Sequence, residues 1–208
     1  MAAREVDPMQ TPRADSWALY HRAPMPMVTL FKTLDITPLM AIKERGYKLN
    51  MLLCWCVAQA AEATPEFRLL PVGDTLVQYD QLGVSVIVAN DKGGLNSCDL
   101  PCLPDLEAFN QTYLELTART RRDCADHELP DRMIVGTSSL VRYDIDGAAN
   151  MYSGIFNNPF LIWSKYREED GRALLPLSFQ FHHVQMDGLG ACAFLERLQE
   201  AVRETGRA

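Results

Sequence analysis

Residues 182–188 read HHVQMDG, and this stretch decides how the C-terminal part of the chain folds, because the residue pattern changes on either side of it. Before it, residues 174–181 (LLPLSFQF) are apolar and partly alternating, a pattern that predicts a strand. After it, residues 189–203 place apolar side chains at helical spacing. The motif is therefore predicted to lie where a strand ends and a helix begins, at the rim of a sheet, where functional sites are often built.

Two adjacent histidines stand in this motif, and only one is expected in a site, because neighbouring strand residues point to opposite faces. His183 continues the apolar row of Phe179 and Phe181, whereas His182 continues a polar row through Gln180. An imidazole at the end of an apolar row is partly desolvated, which favours the neutral form that a general base needs. His183 is therefore the predicted general base, and the motif indicates proton-transfer chemistry.

Three other interpretations of the motif stay open. Both histidines could be structural. A metal centre would need three or four converging ligands, and since His21 and His127 show no ligand-like spacing, no metal is expected. Cys192 could act as a nucleophile beside a histidine, but no neighbouring residue marks it as activated. The six cysteines form no CxxC pair, which argues against a zinc ribbon.

Length and composition bound the class of protein. The chain has 208 residues, of which 48% are hydrophobic, and this suits one domain with its own core. We expect that domain to span residues 16–208, after a polar, flexible N-terminal tail over residues 1–15. The formal net charge of −7 argues against nucleic acid as a partner. The longest apolar stretch, residues 51–61, is too short to span a membrane, and no secretory signal is present, so a cytoplasmic protein is expected.

The order of the predicted elements favours an α/β two-layer sandwich, with a mixed, mostly antiparallel sheet and helices on one face. Several strands follow one another with no helix between them, which is why antiparallel pairing is expected. Helices are predicted at 17–22, 37–46, 50–63, 105–122 and 189–203. Strands are predicted at 27–34, 67–70, 75–79, 84–89, 133–141, 150–156, 160–166 and 174–181. Residues 90–104, rich in Gly, Asn and Pro, are predicted to form a loop.

From Trp17 onward the chain resembles the chloramphenicol acetyltransferase family, within the class of coenzyme A-dependent acyltransferases. Residues 174–200 resemble the strand, active-site loop and helix at the C-terminal end of that family. Other matching segments keep the family's order and spacing: Trp17, residues 34–37 (LDIT), 64–68 (TPEFR), 137–140 (TSSL), 165–166 (KY) and Arg172. The resemblance implies the coenzyme A-dependent acyltransferase fold.

The resemblance also implies a reaction. The family transfers an acetyl group from acetyl-coenzyme A, a co-substrate and not a bound cofactor, to a hydroxyl of chloramphenicol or a similar small alcohol. His183 would deprotonate that hydroxyl in a ternary complex, and the alkoxide would attack the thioester directly. Ser138 would donate a hydrogen bond to the tetrahedral oxyanion, and Asp187 would be structural. The family is a homotrimer in which His183 would face Ser138 of a neighbouring subunit, and its members confer antibiotic resistance.

By the same resemblance, Tyr20 and either Phe31 or Val28 would line the acceptor pocket, and Tyr166 would contact coenzyme A. One departure concerns Asp187, which in the family pairs with an arginine two residues after the N-terminal tryptophan. Leu19 occupies that position here, and Arg22 is the nearest substitute.

Two departures keep other functions open. Residues 141–147 are more polar than the family's pattern, which favours an acyltransferase of the same fold with a different acceptor or acyl donor. Loss of the arginine partner favours a catalytically weak protein that binds coenzyme A without turnover. A condensation domain acting on carrier-protein thioesters would need a much longer chain.

Overall fold

Helices cover one face of a seven-stranded sheet, and a separate three-stranded sheet holds the N-terminal strand. The computed structural model describes residues 3–152 and 154–207. The strands are β1 (Ala3–Val6), β2 (Met27–Asp35), β3 (Leu69–Val72), β4 (Thr75–Tyr79), β5 (Leu82–Ala89), β6 (Leu95–Pro101), β7 (Met133–Leu140), β8 (Phe160–Ser164), β9 (Arg167–Glu169) and β10 (Arg172–His182). The helices are α1 (Ala14–Tyr20), α2 (Thr37–Glu44), α3 (Leu49–Glu62), α4 (Leu106–Asp123) and α5 (Gly188–Thr205).

The large sheet has the strand order β2-β10-β8-β7-β5-β6, with β9 paired to β10. The pairs β5–β7 and β7–β8 are parallel, and the other pairs are antiparallel. This confirms the predicted mixed, mostly antiparallel sheet in a two-layer α/β arrangement. The small sheet has the order β1-β4-β3 and is antiparallel throughout.

The core lies between the helices and the sheet, and α3 is its central helix. Ten of the fourteen residues of α3 are buried, as its almost continuous apolar sequence predicts. Burial raises the pKa of both Cys54 and Cys56 to about 12, so these thiols behave as small apolar side chains. In the same core, the aromatic rings of Phe67, Phe179 and Phe194 pack with 4.7–6.2 Å between their centroids and join α5 to β10.

Three predicted elements of the sheet need correction. Residues 90–104 are not a single loop, because Leu95–Pro101 pairs along its whole length with β5 and buries Cys98 and Leu100. Residues 67–70 begin as a 3-10 helix, Pro65–Arg68, before β3 starts. The predicted strand at 150–156 is absent from the described residues of that stretch, and residue 153 lies outside them. The Asn150 carbonyl there accepts a hydrogen bond from the Gln180 amide, a side-chain contact and not a strand pairing.

The N-terminal segment also needs correction, because its described residues are part of the folded domain. Ala3–Val6 pairs with β4 over four residues, so the backbone groups of this edge strand that face β4 have partners within the three-stranded sheet. Asp7 then caps a 3-10 helix, Pro8–Gln10, and α1 follows with Trp17 buried. The domain boundary predicted at residue 16 therefore falls inside α1. Among the described residues, no helix combines the length and the apolarity needed to cross a bilayer.

Candidate active site

The HHVQMDG motif lies where its sequence predicts, between the end of β10 and the start of α5. β10 ends at His182, and α5 begins at Gly188 with Asp187 as its N-cap. The Asp187 Oδ1 atom accepts a hydrogen bond from the backbone N–H of Gly190 at 2.9 Å. This bond is the largest influence on the pKa of Asp187 and lowers it. Desolvation raises the pKa and the charge of a nearby arginine lowers it, and the resulting pKa lies below its usual value. Residues 183–187 therefore form a short loop fixed at both ends, which we call the histidine loop.

His182 is held in one neutral form. Its side chain is 1% exposed, and its Nδ1 accepts a hydrogen bond from the backbone N–H of Val184 at 3.1 Å. Burial, with a smaller contribution from the adjacent His183, lowers the pKa of His182 to about 4. The proton of the neutral ring is therefore on Nε2, and Nδ1 is already occupied. His182 is a structural residue at the end of β10, next to the histidine loop.

His183 has a different environment. Its ring is half-buried and stacks at a tilt of 34° on the ring of Tyr20, with 4.3 Å between the centroids. Its backbone N–H donates to the carbonyl of Pro26 at 2.8 Å, which ties the loop to the start of β2. Nδ1 is buried and has no hydrogen-bond partner within the part of the chain that the structure describes. A reactant would therefore approach this imidazole from Nε2.

Asp187 does have an arginine partner, so the expectation that the partner is missing was wrong. The partner is Arg13, whose Nη1 lies 3.6 Å from Asp187 Oδ2. The same guanidinium donates from Nε to the carbonyl of Val184 at 2.7 Å and from Nη2 to the carbonyl of His183 at 2.9 Å. Arg22, the substitute suggested by the sequence, is exposed.

Arg13 is the residue that sequence reasoning missed. It was assigned to a flexible tail, where an arginine carries no structural expectation. One signal could have found it: Arg13 precedes the buried Trp17 by four residues, which is one helical turn, so the two lie on the same side of α1.

Ser138 lies far from His183 within one chain. Thr137 faces α3, because its Oγ1 is 3.9 Å from Cys54 Sγ, so the adjacent Ser138 faces the opposite side of the sheet, which we call the open face. Ser138 is in register with Ile162 of β8, and Ile162 with Ser178 of β10. Ser178 precedes His183 by five residues, which places Ser138 roughly 16 Å along the strands and roughly 10 Å across them from His183. One chain therefore does not bring the two groups together.

The three residues predicted for the acceptor pocket do not share one surface. Tyr20 contacts His183, as described above. Val28 is in register with Phe181 and packs against the core, whereas Phe31 is in register with Ser178 on the open face and is 60% exposed. Val28 and Phe31 are three residues apart on β2 and therefore face opposite ways. At most one of them can belong to a pocket on the open face, and that residue is Phe31.

Tyr166 lines a cavity of about 600 Å³ between β8, the start of β9, and helices α2 and α3. Lys43 Nζ lies 5.6 Å from the centre of the Tyr166 ring, and Lys165 and Arg167 also contribute to the walls. Two buried polar atoms of cavity-lining residues, the Asn50 Oδ1 acceptor and the Trp163 Nε1 donor, have no partner among the described residues. The Asn50 amide is oriented by its Nδ2, which donates to the Tyr113 hydroxyl at 3.1 Å.

Within the described ranges, no group of three or more His, Cys, Asp and Glu side chains is arranged to hold a metal ion.

Solved structures share this fold. A chloramphenicol acetyltransferase superposes with a TM-score of 0.80 at 18% identity, covering 96% of this chain and 99% of the other. The truncated catalytic core of the 2-oxoacid dehydrogenase multienzyme complex from Thermoplasma acidophilum reaches a TM-score of 0.68 at 18% identity. That alignment covers 99% of this chain and 100% of the other. At such identities the likeness shows the fold alone.

Sequence relatives go further than the fold. Chloramphenicol acetyltransferase 2 of Escherichia coli is 30% identical over 194 residues, 90% of this chain and 91% of that protein. A chloramphenicol acetyltransferase of Clostridium perfringens is 30% identical over 174 residues, 81% of this chain and 83% of that protein. Fold and relatives together define the class of this protein, which is an acyltransferase. More narrowly, the chain belongs to the chloramphenicol acetyltransferase family, whose model matches residues 1–199.

Proposed function

We propose that this protein transfers the acetyl group of acetyl-coenzyme A to a hydroxyl of chloramphenicol or a similar small alcohol. The observation that carries the proposal is that the two adjacent histidines have different environments. His182 is buried with a pKa of about 4, while His183 is half-buried against Tyr20 in a loop fixed at both ends. That arrangement leaves one imidazole able to accept a proton from a substrate hydroxyl.

The proposed reaction proceeds in a ternary complex. His183 Nε2 removes the proton of the acceptor hydroxyl, and the alkoxide oxygen attacks the thioester carbonyl carbon. The tetrahedral intermediate collapses with cleavage of the carbon–sulfur bond, and the protonated His183 returns its proton to the departing thiolate. No residue of the protein is acylated, and the products are the acetyl ester and free coenzyme A.

Ser138 is proposed to stabilise the oxyanion of that intermediate by hydrogen-bond donation. The large separation of Ser138 from His183 within one chain supports a site made from two subunits. Ser138 faces the open side of the sheet, where a second copy could approach it. We therefore propose a homotrimer in which each His183 is completed by Ser138 of a neighbour.

Mixed subunits test this arrangement. Ser138→Ala and His183→Ala subunits, each inactive alone, are unfolded together in equal amounts and refolded. Each site takes its histidine from one subunit and its serine from a neighbour, and half of the subunits carry each intact residue. About one quarter of the sites should therefore contain both groups. Recovered activity near that fraction supports shared sites, and none would show that the two residues do not meet across an interface. Light scattering on the wild-type protein measures the subunit number separately.

The cavity beside Tyr166 supports acetyl-coenzyme A as the co-substrate. Coenzyme A carries phosphates and an arm with two amide groups. Lys43 and Lys165 at the cavity walls can pair with phosphate. The unpartnered Trp163 donor and Asn50 acceptor belong to residues that line the cavity, and they match the acceptor and donor of an amide. Tyr166 would then contact the bound co-substrate.

A different acceptor is the second candidate, and the segment after β7 favours it. Asp144 and Asp146 both pair with Arg167, at 2.6 Å and 2.8 Å, so this polar stretch is tied to β9. Gly147 lies so close to the Phe31 ring that an added Cβ would be 2.4 Å from it. The space around Phe31 is thus shaped by a segment that departs from the family pattern. The alcohol that fits there would therefore differ from the one that suits the family pattern.

The deciding experiment measures release of the coenzyme A thiol from acetyl-coenzyme A, with and without chloramphenicol, for the wild type and for His183→Ala. Release that requires both chloramphenicol and His183 supports the first function. Release that requires His183 and another alcohol supports the second. If coenzyme A binds but no alcohol in a panel is acetylated, the protein is a catalytically weak binding protein and the proposal fails.

We also propose that the enzyme acts in the cytoplasm and protects its host against chloramphenicol. A chloramphenicol-sensitive strain expressing the wild-type chain should grow at drug concentrations that stop the same strain expressing His183→Ala. Equal sensitivity of both strains, with both proteins expressed, would contradict the resistance role.

A further inference from the structure

A cavity of about 830 Å³ lies on the open face, between β5–β7 of the large sheet and the small sheet, and we call it the open-face cavity. Its wall includes Gly136, which lies two residues before Ser138 and therefore faces the same side of β7. The charged residues in its wall are Asp99, Asp126, Glu128 and Arg132. The wall is therefore negative overall, beside the place proposed for the reacting groups.

Asp99 is the most buried of these carboxylates. It is only 9% exposed, and it faces the cavity because its neighbours Cys98 and Leu100 belong to the core. Its Oδ2 atom accepts a hydrogen bond from the backbone N–H of Leu129 at 3.0 Å. Among the described residues, Oδ1 has no hydrogen-bond partner and the carboxylate has no ion pair. A buried carboxylate in this state is costly unless a ligand supplies the missing donor.

Ser85 provides a second polar group at the same point. It is directly opposite Asp99 in the β5–β6 pair and lines the same cavity. The residue is 9% exposed, and its hydroxyl has no hydrogen-bond partner in the part of the chain that the structure describes. Directly opposed residues have their Cβ atoms about 5 Å apart, so the hydroxyl and the carboxylate lie side by side at the cavity wall. Two adjacent acceptors, one of them charged, suit a protonated amine.

The other carboxylates in the wall are less suited to hold a ligand. Asp126 is exposed, and its Oδ1 atom accepts from Asn96 Nδ2 at 2.9 Å and from the Ser97 N–H at 2.8 Å. The bond from the Asn96 side chain is the largest of the influences that hold the pKa of Asp126 below its usual value. Glu128 is exposed as well. Both therefore add negative charge at the rim, and Asp99 is the group that remains for a direct contact.

Arg132 is the cation that would be expected to neutralise Asp99, but it is engaged elsewhere. Its Nε lies 3.9 Å from Asp131 Oδ1, and its Nη1 donates to the Leu82 carbonyl at 3.4 Å. Its Cδ atom lies over Gly83, 3.8 Å from where a Cβ of that residue would be. No ion pair joins it to Asp99 within the described residues, so Asp99 remains available to an external cation.

The separation of Asp99 from Ser138 suits a small amino alcohol. Ser85 of β5 is in register with both Asp99 of β6 and Gly136 of β7. Asp99 is therefore two strand spacings and two residues from Ser138, roughly 10 Å across the strands and roughly 7 Å along them. An alcohol whose hydroxyl reacts beside Ser138 reaches Asp99 with a group that is several bonds away from that hydroxyl.

We infer that Asp99, together with Ser85, determines the specificity for the acceptor, and that this acceptor is an alcohol that carries a protonated amine. The inference rests on the proposed function and gives a chemical class to its second candidate. The amine donates a hydrogen bond to Asp99 Oδ1 and is not acylated, while the hydroxyl remains the group that accepts the acetyl. Chloramphenicol has no cationic group and would leave Asp99 without a partner.

The test compares straight-chain alcohols that end in a dimethylamino group with methoxy-ended alcohols of the same length. A tertiary amine is cationic at neutral pH and forms no amide, so only the hydroxyl is acetylated. For wild type we expect kcat/KM to be about 10- to 100-fold higher with the dimethylamino alcohol of suitable length, because a hydrogen bond between two charged groups is worth that factor. Equal use of the two kinds of alcohol at every length would overturn the inference.

Asp99→Asn keeps an acceptor for the Leu129 N–H and removes the charge. It should lose the preference, mainly through a higher KM for the dimethylamino alcohol, with the methoxy alcohol unaffected. Asp74→Asn is the matched control, because Asp74 is an exposed carboxylate on the turn between β3 and β4 and does not line the cavity. A preference retained in Asp99→Asn would overturn the inference. A changed subunit number with the preference retained would assign Asp99 to a subunit interface instead.

Binding without turnover separates this inference from the proposed function. Calorimetry measures the dimethylamino alcohol against wild type and Asp99→Asn, with and without free coenzyme A. If wild type acetylates no alcohol, the proposed function fails, while binding that is about ten-fold weaker in Asp99→Asn still supports the cation site. Equal binding to both proteins contradicts the cation site whatever the activity. So does wild type that binds the dimethylamino alcohol no better than the methoxy alcohol, and that comparison needs no variant.

Discussion

The histidine loop and the middle of β7 hold the two groups proposed for catalysis, yet the chain specifies them in different ways. In the loop and at the end of β10 beside it, each important side chain has a partner that explains it: Val184 for His182, Tyr20 for His183, and Arg13 for Asp187. Ser138 instead lies on the open face of a regular strand, between β5 and β8. The difference teaches that a site whose contacts lie within one chain can be recognised in the structure of that chain. The proposed role of Ser138 depends on a second copy, and one chain does not reveal it.

The largest effect should come from the loop. His183→Ala should lower kcat about 100- to 10,000-fold, since general-base catalysis typically contributes that much. Folding should be preserved, because the ring is only half-buried. Steady-state kinetics with acetyl-coenzyme A and the acceptor, together with a circular dichroism melt, check both parts. Turnover close to wild type would remove His183 as the base and with it the contrast between the two histidines.

Ser138→Ala should be the second largest effect, with kcat about 100- to 1,000-fold lower and KM little changed, because an oxyanion donor acts in the transition state. Ser139→Ala is the matched control. Ser139 is the next residue on β7 and is in register with Trp163, so it faces the helices. A similar loss in both variants would mean that β7 was disturbed and would argue against a specific role for Ser138.

The same contrast explains what the sequence could predict. β10 and α5 were correct to within a few residues, because the apolar alternation and the helical spacing that define them are local. β6 was missed because Asn90, Gly93 and Gly94 form a turn just before it, and that turn composition hid the buried Cys98 and Leu100. Arg13 was missed because its partners lie at the far end of the chain. The four-residue spacing from Trp17 places Arg13 on the buried side of α1, but it does not identify residues 183–187 as its partners.

The position of Ser138 could not have been predicted from local pattern either. That serine was chosen through family resemblance, since Thr137-Ser138-Ser139 offers three similar hydroxyls. The structure separates them physically: the Thr137 Oγ1 donates to the Ser85 carbonyl at 2.7 Å and is committed to the sheet. Only knowledge of which face is open distinguishes Ser138 from its neighbours.

A smaller effect should appear in pH dependence and should separate His182 from His183. The pKa of His182 is lowered from 6.5 to about 4, so between these values the unfolded chain binds a proton that the folded chain does not. Stability should therefore be full above pH 6.5 and fall as the pH is lowered towards 4, by on the order of 3 kcal/mol in total. In His182→Asn, whose Oδ1 can still accept from Val184, this loss should be reduced.

Urea denaturation at a series of pH values and one protein concentration gives the free energy of unfolding as a function of pH. Its slope is compared between the wild type and His182→Asn. Turnover of His182→Asn at neutral pH should stay within about ten-fold of wild type, since a neutral structural residue has been replaced by another. An unchanged slope would show that His182 does not titrate as its burial suggests.

The smallest effect should distinguish the two faces of β2. Phe31→Ala should raise the acceptor KM about ten-fold with little change in stability, because the ring is exposed on the open face. Val28→Ala should instead lower the free energy of unfolding by about 1–2 kcal/mol, because the side chain packs against the core. Initial rates over a range of acceptor concentrations and a urea titration give both quantities. The reverse result would place the acceptor on the other face, next to Val28.

The contact between Arg13 and Val184 joins residues that are 171 positions apart. During synthesis the N-terminal segment leaves the ribosome long before its partner loop exists, so their contact can form only after residues 183–187 have been translated. In refolding, closure of so long a loop should come late, because non-local contacts follow local ones. In a variant that keeps Trp55 and has phenylalanine at Trp17 and Trp163, burial of Trp55 in α3, followed by fluorescence, should therefore precede the return of activity. The delay between the two signals measures when the N-terminal segment docks onto the histidine loop.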